Sequence, residues 1–197
     1  MGCIMNKKQK FISISLVIFL MLLFHVPSVH AKKEVAGKTF YTTANIWYEN
    51  PAKIYSTNYH RGAIIPVGTK VTIKKVASDE IKFVDERGIG FTVIYLQKHS
   101  APNTTIWNYF DQYFSEENPM RKSGPFEKFS KNEKNNIKIG QIKEGMSKSA
   151  VLMSYGYPPT HRTPSLESDV WIYWSSRFMK ITVYFTDGKV FNINRGF

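Results

Sequence analysis

Apolar residues follow four successive patterns along this chain. Phe11 to Val26 is an almost unbroken apolar run. From Lys38 to Lys98 the pattern becomes short alternating segments: "KTFYTTANIWY", "KVTIKKV", "EIKFVD" and "GFTVIYL", rich in β-branched and aromatic residues. Pro66-Val67-Gly68 and Asp85-Glu86-Arg87-Gly88 supply turns between them. Short strands at about ten-residue spacing predict a small β-barrel. In "APNTTIWNYFDQYFS" the apolar spacing turns helical: Ile106, Trp107, Phe110, Tyr113 and Phe114 share one face, and Asn103 or Thr104 can cap it. "EENPMRKSGP" reads as a linker marked by Pro119, Gly124 and Pro125. Ser130 followed by Glu133 can box the start of a short polar helix.

The final sixty residues are the most heavily punctuated. In "GQIKEGMSKSAVLMSYGYPP", Ser147 can cap a helix with its hydroxyl, and Met146 and Val151 stand where a hydrophobic staple needs them. Gly156 supplies a left-handed residue to close the helix, and Pro158 and Pro159 forbid its continuation. Three alternating segments follow, "DVWIYWSS", "FMKITVYF" and "KVFNIN", with Asp187-Gly188 a strong hairpin turn between the last two. In the middle strand Met179, Ile181, Val183 and Phe185 fall on one face. The expected fold class is α+β: a small β-barrel-like region, then two helices on a three-stranded antiparallel meander. The segmentation is 1–31, 38–98, 103–136 and 137–197: leader, barrel-like domain, helical connector with linker, and α/β domain.

The C-terminal motif resembles the SmpA/OmlA domain of BamE-type envelope proteins. The matching residues are Gly145, Met146, Val151, Gly156, Pro158, Trp171, Tyr173, Phe185, Asp187, Gly188 and Val190. That resemblance implies paired helices on a three-stranded sheet, and a role in outer-membrane assembly, contacting partner proteins and anionic phospholipid. The order is also similar to the repeated unit of secreted β-lactamase inhibitory proteins. In the N-terminal half, "IIPVGTKVTI" resembles one strand of bacterial Src-homology-3-like domains, without the Gly-Trp pair that cell-wall versions carry.

The leader changes the picture of compartment. Lys7, Lys8 and Lys10 precede the apolar run, Pro27 breaks it, and Val29-His30-Ala31 offers a small residue for cleavage. That order predicts a secretory signal peptide. The run of 16 residues is shorter than the roughly 20 that cross a bilayer as a helix; an uncleaved anchor is the alternative. The sole cysteine, Cys3, lies upstream of the run, where it serves neither lipidation at the signal end nor a disulfide. Of 27 basic residues, three fall in the leader, leaving 24 against 15 acidic, a net of +9. For an exported protein in the periplasm or cell envelope, that balance suits anionic lipid, cell-wall polymer or an acidic protein rather than nucleic acid.

Candidate chemistry is sparse. His60, His99 and His161 have no ligand spacing, so no metal or cofactor is expected. No Gly-x-Ser-x-Gly elbow or phosphate loop accompanies the serines and glycines, and Asp79, Glu80, Asp85 and Glu86 stand among turn residues. The expectation is a non-enzymatic binding or assembly accessory, the alternatives being an enzyme inhibitor or a cell-wall-binding accessory. The stiff loop "PPTHRTPSLESD" offers candidate partner-binding residues His161 and Arg162, with Trp171 just beyond it. In the alternative reading Arg162 pairs with Glu167 or Asp169 inside a plain crossover.

Overall fold

The computed structural model describes residues 34–196, so the expected signal segment, its cleavage position after Ala31, and Cys3 lie outside the described residues. Val35–Phe197 form one compact α+β unit, in which the described residues contain three α-helices and three sheets. No helix among the described residues is long and apolar enough to cross a membrane.

The first core lies against a curled six-stranded sheet. β1 (Thr39–Thr42) pairs with β5 (Lys70–Val76), which pairs with β6 (Glu80–Asp85) and then β7 (Gly90–Ile94), all antiparallel. β3 (Ile54–Tyr55) adds to β7 in parallel, and β8 (Phe114–Ser115) adds to β1. The alternation expected from the sequence appears in burial: Val71, Ile73, Ile81, Phe83, Phe91 and Val93 are enclosed. Helix α1 (Ile106–Tyr113) covers them, with Phe110 edge-on to Phe40 at 5.1 Å between ring centroids. Each apolar side chain fully buried this way contributes about 1.5–3 kcal/mol. The cap of α1 is Thr105 rather than Asn103 or Thr104. Its hydroxyl accepts from Trp107 N, and Asn108 reaches back to the Thr105 N–H.

"KTFYTTANIWY" is not one strand. It breaks after Thr42, and β2 (Ile46–Tyr48) leaves to form its own ladder with β4 (Ala63–Ile65). The break carries the chain from the first core to the second. There, α2 (Lys131–Lys138) and α3 (Lys148–Tyr155) lie beside a meander of β9 (Val170–Trp174), β10 (Lys180–Thr186) and β11 (Lys189–Arg195), in the order β11-β10-β9. Met146, Val151, Trp171, Tyr173, Ile181, Val183, Phe185 and Val190 fill this core. Asp187 and Gly188, both at positive φ, make the two-residue turn that pairs Thr186 with Lys189. Met179, expected inward, precedes β10 and is exposed, because the β9–β10 hairpin turns there. The expected linker also packs: Phe126 is buried in the second core and Met120 lies against it.

The punctuation around α3 resolves at atomic level. Ser147 caps it, its hydroxyl accepting from Ala150 N, while the Ser147 N–H and hydroxyl both donate to Glu133 Oε1. The other oxygen of Glu133 completes the capping box of α2 with Ser130. One carboxylate therefore organises two helix starts. At the other end the free carbonyls, which every helix leaves unpaired, are taken by the N-terminal half. Asn45 N donates to Met153 O (3.0 Å), Asn45 Nδ2 to Ser154 O (3.0 Å), and Asn58 Nδ2 to Tyr155 O (2.9 Å). Gly156 closes the helix at φ 77°, ψ −171°, a region open essentially to glycine alone rather than the left-handed helical one expected. Only glycine fits there for a second reason: a Cβ would lie 2.5 Å from Tyr113 Oη and 2.6 Å from Asn58 Nδ2.

An aromatic, cationic groove as candidate functional site

The segment that bridges the two cores also forms a groove of about 840 Å³. β2, β3 and the loops after them line it through Trp47, Tyr48, Tyr55, Thr57 and Tyr59. Leu96, Lys98 and His99 beyond β7, and Trp174 and Arg177 at the β9–β10 hairpin, complete the lining. All five aromatic linings are Trp or Tyr, half-buried, so each offers ring surface and a polar handle together.

The local fold explains why these rings line up. Asn58 takes a positive φ of 48°, and its side-chain oxygen accepts from Trp47 N at 2.8 Å, folding the β3–β4 loop back onto β2. His60 then anchors the loop across the joint. Its Nε2 lies 2.8 Å from Tyr155 O, and its backbone N–H donates to Trp174 O at 3.1 Å. The His60 ring stacks on Tyr155 at 4.0 Å and meets Trp47 and Tyr173 edge-on. Desolvation in that aromatic box outweighs the two carbonyl contacts and lowers the His60 pKa from 6.5 to about 4.

Charge is distributed at the rim. Lys53, Arg61, Lys98 and Arg177 are exposed around the groove. Glu49 is the one carboxylate among its lining residues, and it pairs with Arg61 at 3.2 Å. Three buried polar atoms of lining residues have no hydrogen-bond partner: Trp47 Nε1, Thr57 Oγ1 and Trp174 Nε1. Two of these can only donate, and an unpaired buried donor costs about 1–3 kcal/mol.

The sequence-nominated residues meet this site unequally. Trp171 was expected as a partner anchor, but its side chain is 0 % exposed and packs on Phe185 at 4.6 Å, so it is a core residue. The strand pleat explains the correction: Trp171 and Tyr173 point inward, whereas Trp174 reaches the groove. His161 and Arg162 do come to the site, as supports of that tryptophan. The His161 ring is parallel to Trp174 at 6.2 Å, and the Arg162 guanidinium lies over Trp174 at 5.8 Å. Arg162 thus makes a cation–π contact where a pairing with Glu167 or Asp169 was the alternative; Asp169 pairs with Lys148 at 3.2 Å.

His99 and His161, 62 positions apart, are also brought together, their ring centroids 4.7 Å apart. His161 Nδ1–H donates to His99 O at 3.0 Å, and Ala101 N donates to Thr160 Oγ1, which pins the proline-stiffened loop to the far groove wall. Burial, then the proximity of His161, Lys98 and Arg162, lowers the pKa of His99; burial likewise lowers that of His161. Among the described residues no three His, Cys, Asp or Glu side chains gather as a metal cage.

The motif residues have structural places. Gly145 N donates to Val190 O, Met146 and Val151 are buried, and Pro159 O accepts from Arg162 N and Thr163 N just beyond Pro158. Sequence reading missed Trp47, Tyr48, Tyr55, Tyr59 and Trp174. The available signal was "WYENPAKIYSTNYHR", where four aromatic residues interleave with Lys53 and Arg61. Searches of protein-family models, curated proteins and solved structures find no match to this chain.

Proposed function

We propose that this chain is an exported, non-enzymatic envelope protein that binds an anionic partner through the groove. The observation that carries the reading is the rim: four cations face one carboxylate, which Arg61 already neutralises. Export rests on the sequence of the first 31 residues, and the positive balance of the rest suits an anionic envelope surface. Within that reading the C-terminal half is a BamE-like unit. Two short helices followed by an antiparallel three-stranded meander, in the order the motif implies, support it. A cell-wall-binding accessory is the form of this function that the aromatic lining favours.

Charge reversal tests the proposal. Lys53→Glu with Arg177→Glu changes two exposed side chains, so folding is preserved, while binding of the full chain to anionic wall polymer falls at least about tenfold. Unchanged binding refutes the groove as the site. A mature amino terminus at Lys32 in the exported fraction tests the compartment; an intact leader in the membrane makes it an anchored protein.

A second reading has its own observation. Phe178 is 84 % exposed at the tip of the β9–β10 hairpin, beside exposed Met179 and Arg177. A protruding aromatic tip of this kind suits insertion into a protein cleft, the geometry an enzyme inhibitor needs. Phe178→Ser abolishing one-to-one inhibition of a co-secreted enzyme favours that reading; an inhibition screen with no response removes it.

A further inference from the structure

Resting on the binding reading above, we infer that the groove's ligand is an anionic oligosaccharide, its sugar rings laid on the Tyr and Trp faces and its acid groups on the rim cations. Three independent features select this class. The first is size. About 840 Å³ is toward the upper end of the roughly 300–1,000 Å³ range of small-molecule sites, so the groove takes several linked rings rather than a single anion.

The second is the kind of aromatic surface. Phenylalanine is absent from the lining, although the chain holds 14 of them; Phe40, Phe83 and Phe110 are in the first core. Ile54 and Leu96 are the aliphatic side chains there. A lipid tail or an apolar peptide anchor would favour Phe, Leu and Met surfaces, whereas a sugar has an apolar C–H face and an edge of hydroxyls. Tyr55 and Tyr59, their rings 6.1 Å apart and 61° inclined, present differently oriented faces, which matches successive twisted pyranose rings better than one flat stack.

The third is the unpaired polar atoms. Trp47 Nε1 and Trp174 Nε1 need acceptors, and Thr57, 3 % exposed, lines the groove with an unpartnered hydroxyl. A ligand rich in ether, hydroxyl and acid oxygens supplies acceptors at every ring. All three atoms are buried, so side chains shift as the ligand seats. The cations stand on separate segments, Lys53 after β2, Lys98 after β7 and Arg177 in the hairpin, and therefore suit charges repeated along a chain.

Titration calorimetry on the full chain, with tryptophan fluorescence in parallel, tests this against four probes. They are a heparin-derived tetrasaccharide, neutral chitotetraose, tripolyphosphate and a thymidine tetranucleotide. The expected result is tightest binding to the acidic tetrasaccharide with a change in tryptophan emission. Tyr59→Ala and Lys53→Gln each weaken it by about tenfold, and Tyr59→Phe retains it. Lys53 is exposed, so its variant keeps the test valid if Tyr59→Ala disturbs folding.

Tripolyphosphate binding as tightly, sensitive to Lys53→Gln but not to Tyr59→Ala, overturns the sugar while leaving anion binding intact. The tetranucleotide binding tightest, with both variants weakened, overturns it in favour of single-stranded nucleic acid. Chitotetraose matching the acidic sugar overturns the anionic requirement. No response to any probe overturns both this inference and the groove as a binding site.

Discussion

Replacing Asn45 by alanine removes the most connected polar side chain between the two cores. Asn45 is 0 % exposed. Its Nδ2 donates to Ile137 O at 2.7 Å and to Ser154 O at 3.0 Å, and its Oδ1 accepts from Val67 N at 2.8 Å. The partners lie at the end of α2, the end of α3 and the turn before β5, so one amide holds three segments. Truncation strands two buried backbone groups, Ser154 O and Val67 N, while Ile137 O keeps the Gly140 N–H at 3.2 Å. At about 1–3 kcal/mol for each group left unsatisfied, and with partial relaxation, the expected loss is about 2–4 kcal/mol. That is a large share of the roughly 5–15 kcal/mol that holds an ordinary domain together. Urea unfolding of the full chain, followed by far-UV circular dichroism, measures it. Asn45→Asp should fare no better, since it keeps the acceptor but loses both donors and buries a charge. If the two halves are held mainly here, the variant's transition also broadens or splits. A loss under about 1 kcal/mol with an unchanged single transition would refute the reasoning.

Acid should act through His60. Above its ordinary pKa of 6.5 both folded and unfolded chains carry it neutral; below that the unfolded chain gains a proton that the folded chain, with a pKa of about 4, refuses. Stability is therefore fully present above pH 6.5 and lost as pH falls toward 4, by about 3 kcal/mol at the low end; His60→Asn flattens that interval in a urea series, and parallel profiles would contradict the assignment. Gly156→Ala combines a strained φ of 77° with a Cβ clash against Tyr113 Oη and should cost at least about 3 kcal/mol, read as a lowered thermal midpoint; an unshifted midpoint would show the turn can rearrange. Glu133→Ala removes the acceptor from two helix starts and should cost about 2 kcal/mol, whereas the loss of one cap alone would appear as half of that in the same melt.

Local chemistry carried most of the fold into the sequence. The Asp187-Gly188 turn, the Ser130–Glu133 box, the Ser147 cap and the alternation in β5 through β7 are fixed by neighbours a few residues apart, and each lies where its pattern put it. The misreadings share a cause. Trp171 and Trp174 are equally good interface residues by type, and only the pleat of β9 beneath α3 decides which is enclosed. The break at Thr43 to Asn45 inside an ideal strand sequence is forced by partners about 90 to 110 positions away. The groove is non-local in the same sense. Its aromatic segment was visible in the sequence, but the wall it faces comes from a hairpin more than a hundred residues later. Pairing of His99 with His161 likewise depends on where a proline-stiffened loop lands.

The joint between the cores and the groove are not separable, because single residues serve both. The backbone oxygen of Trp174 is held by His60, while its ring is a groove wall supported by His161 and Arg162. Tyr59, a second wall residue, is the chain neighbour of His60, and Trp47 closes the box around the His60 ring. Protonating His60 in that enclosure pushes on each of these contacts at once. Acid should therefore weaken ligand binding as it weakens the fold, since both losses have their origin in one imidazole. Affinity for an anion would otherwise rise on acidification, as His99 at the rim gains charge. Titrating binding from pH 7 to pH 3.5, through the folded His60 pKa of about 4 and under conditions where the chain stays folded, separates the two effects. A fall in wild-type affinity that His60→Asn converts into a rise assigns the coupling to this residue. A rise in both proteins would show that the walls stand without it.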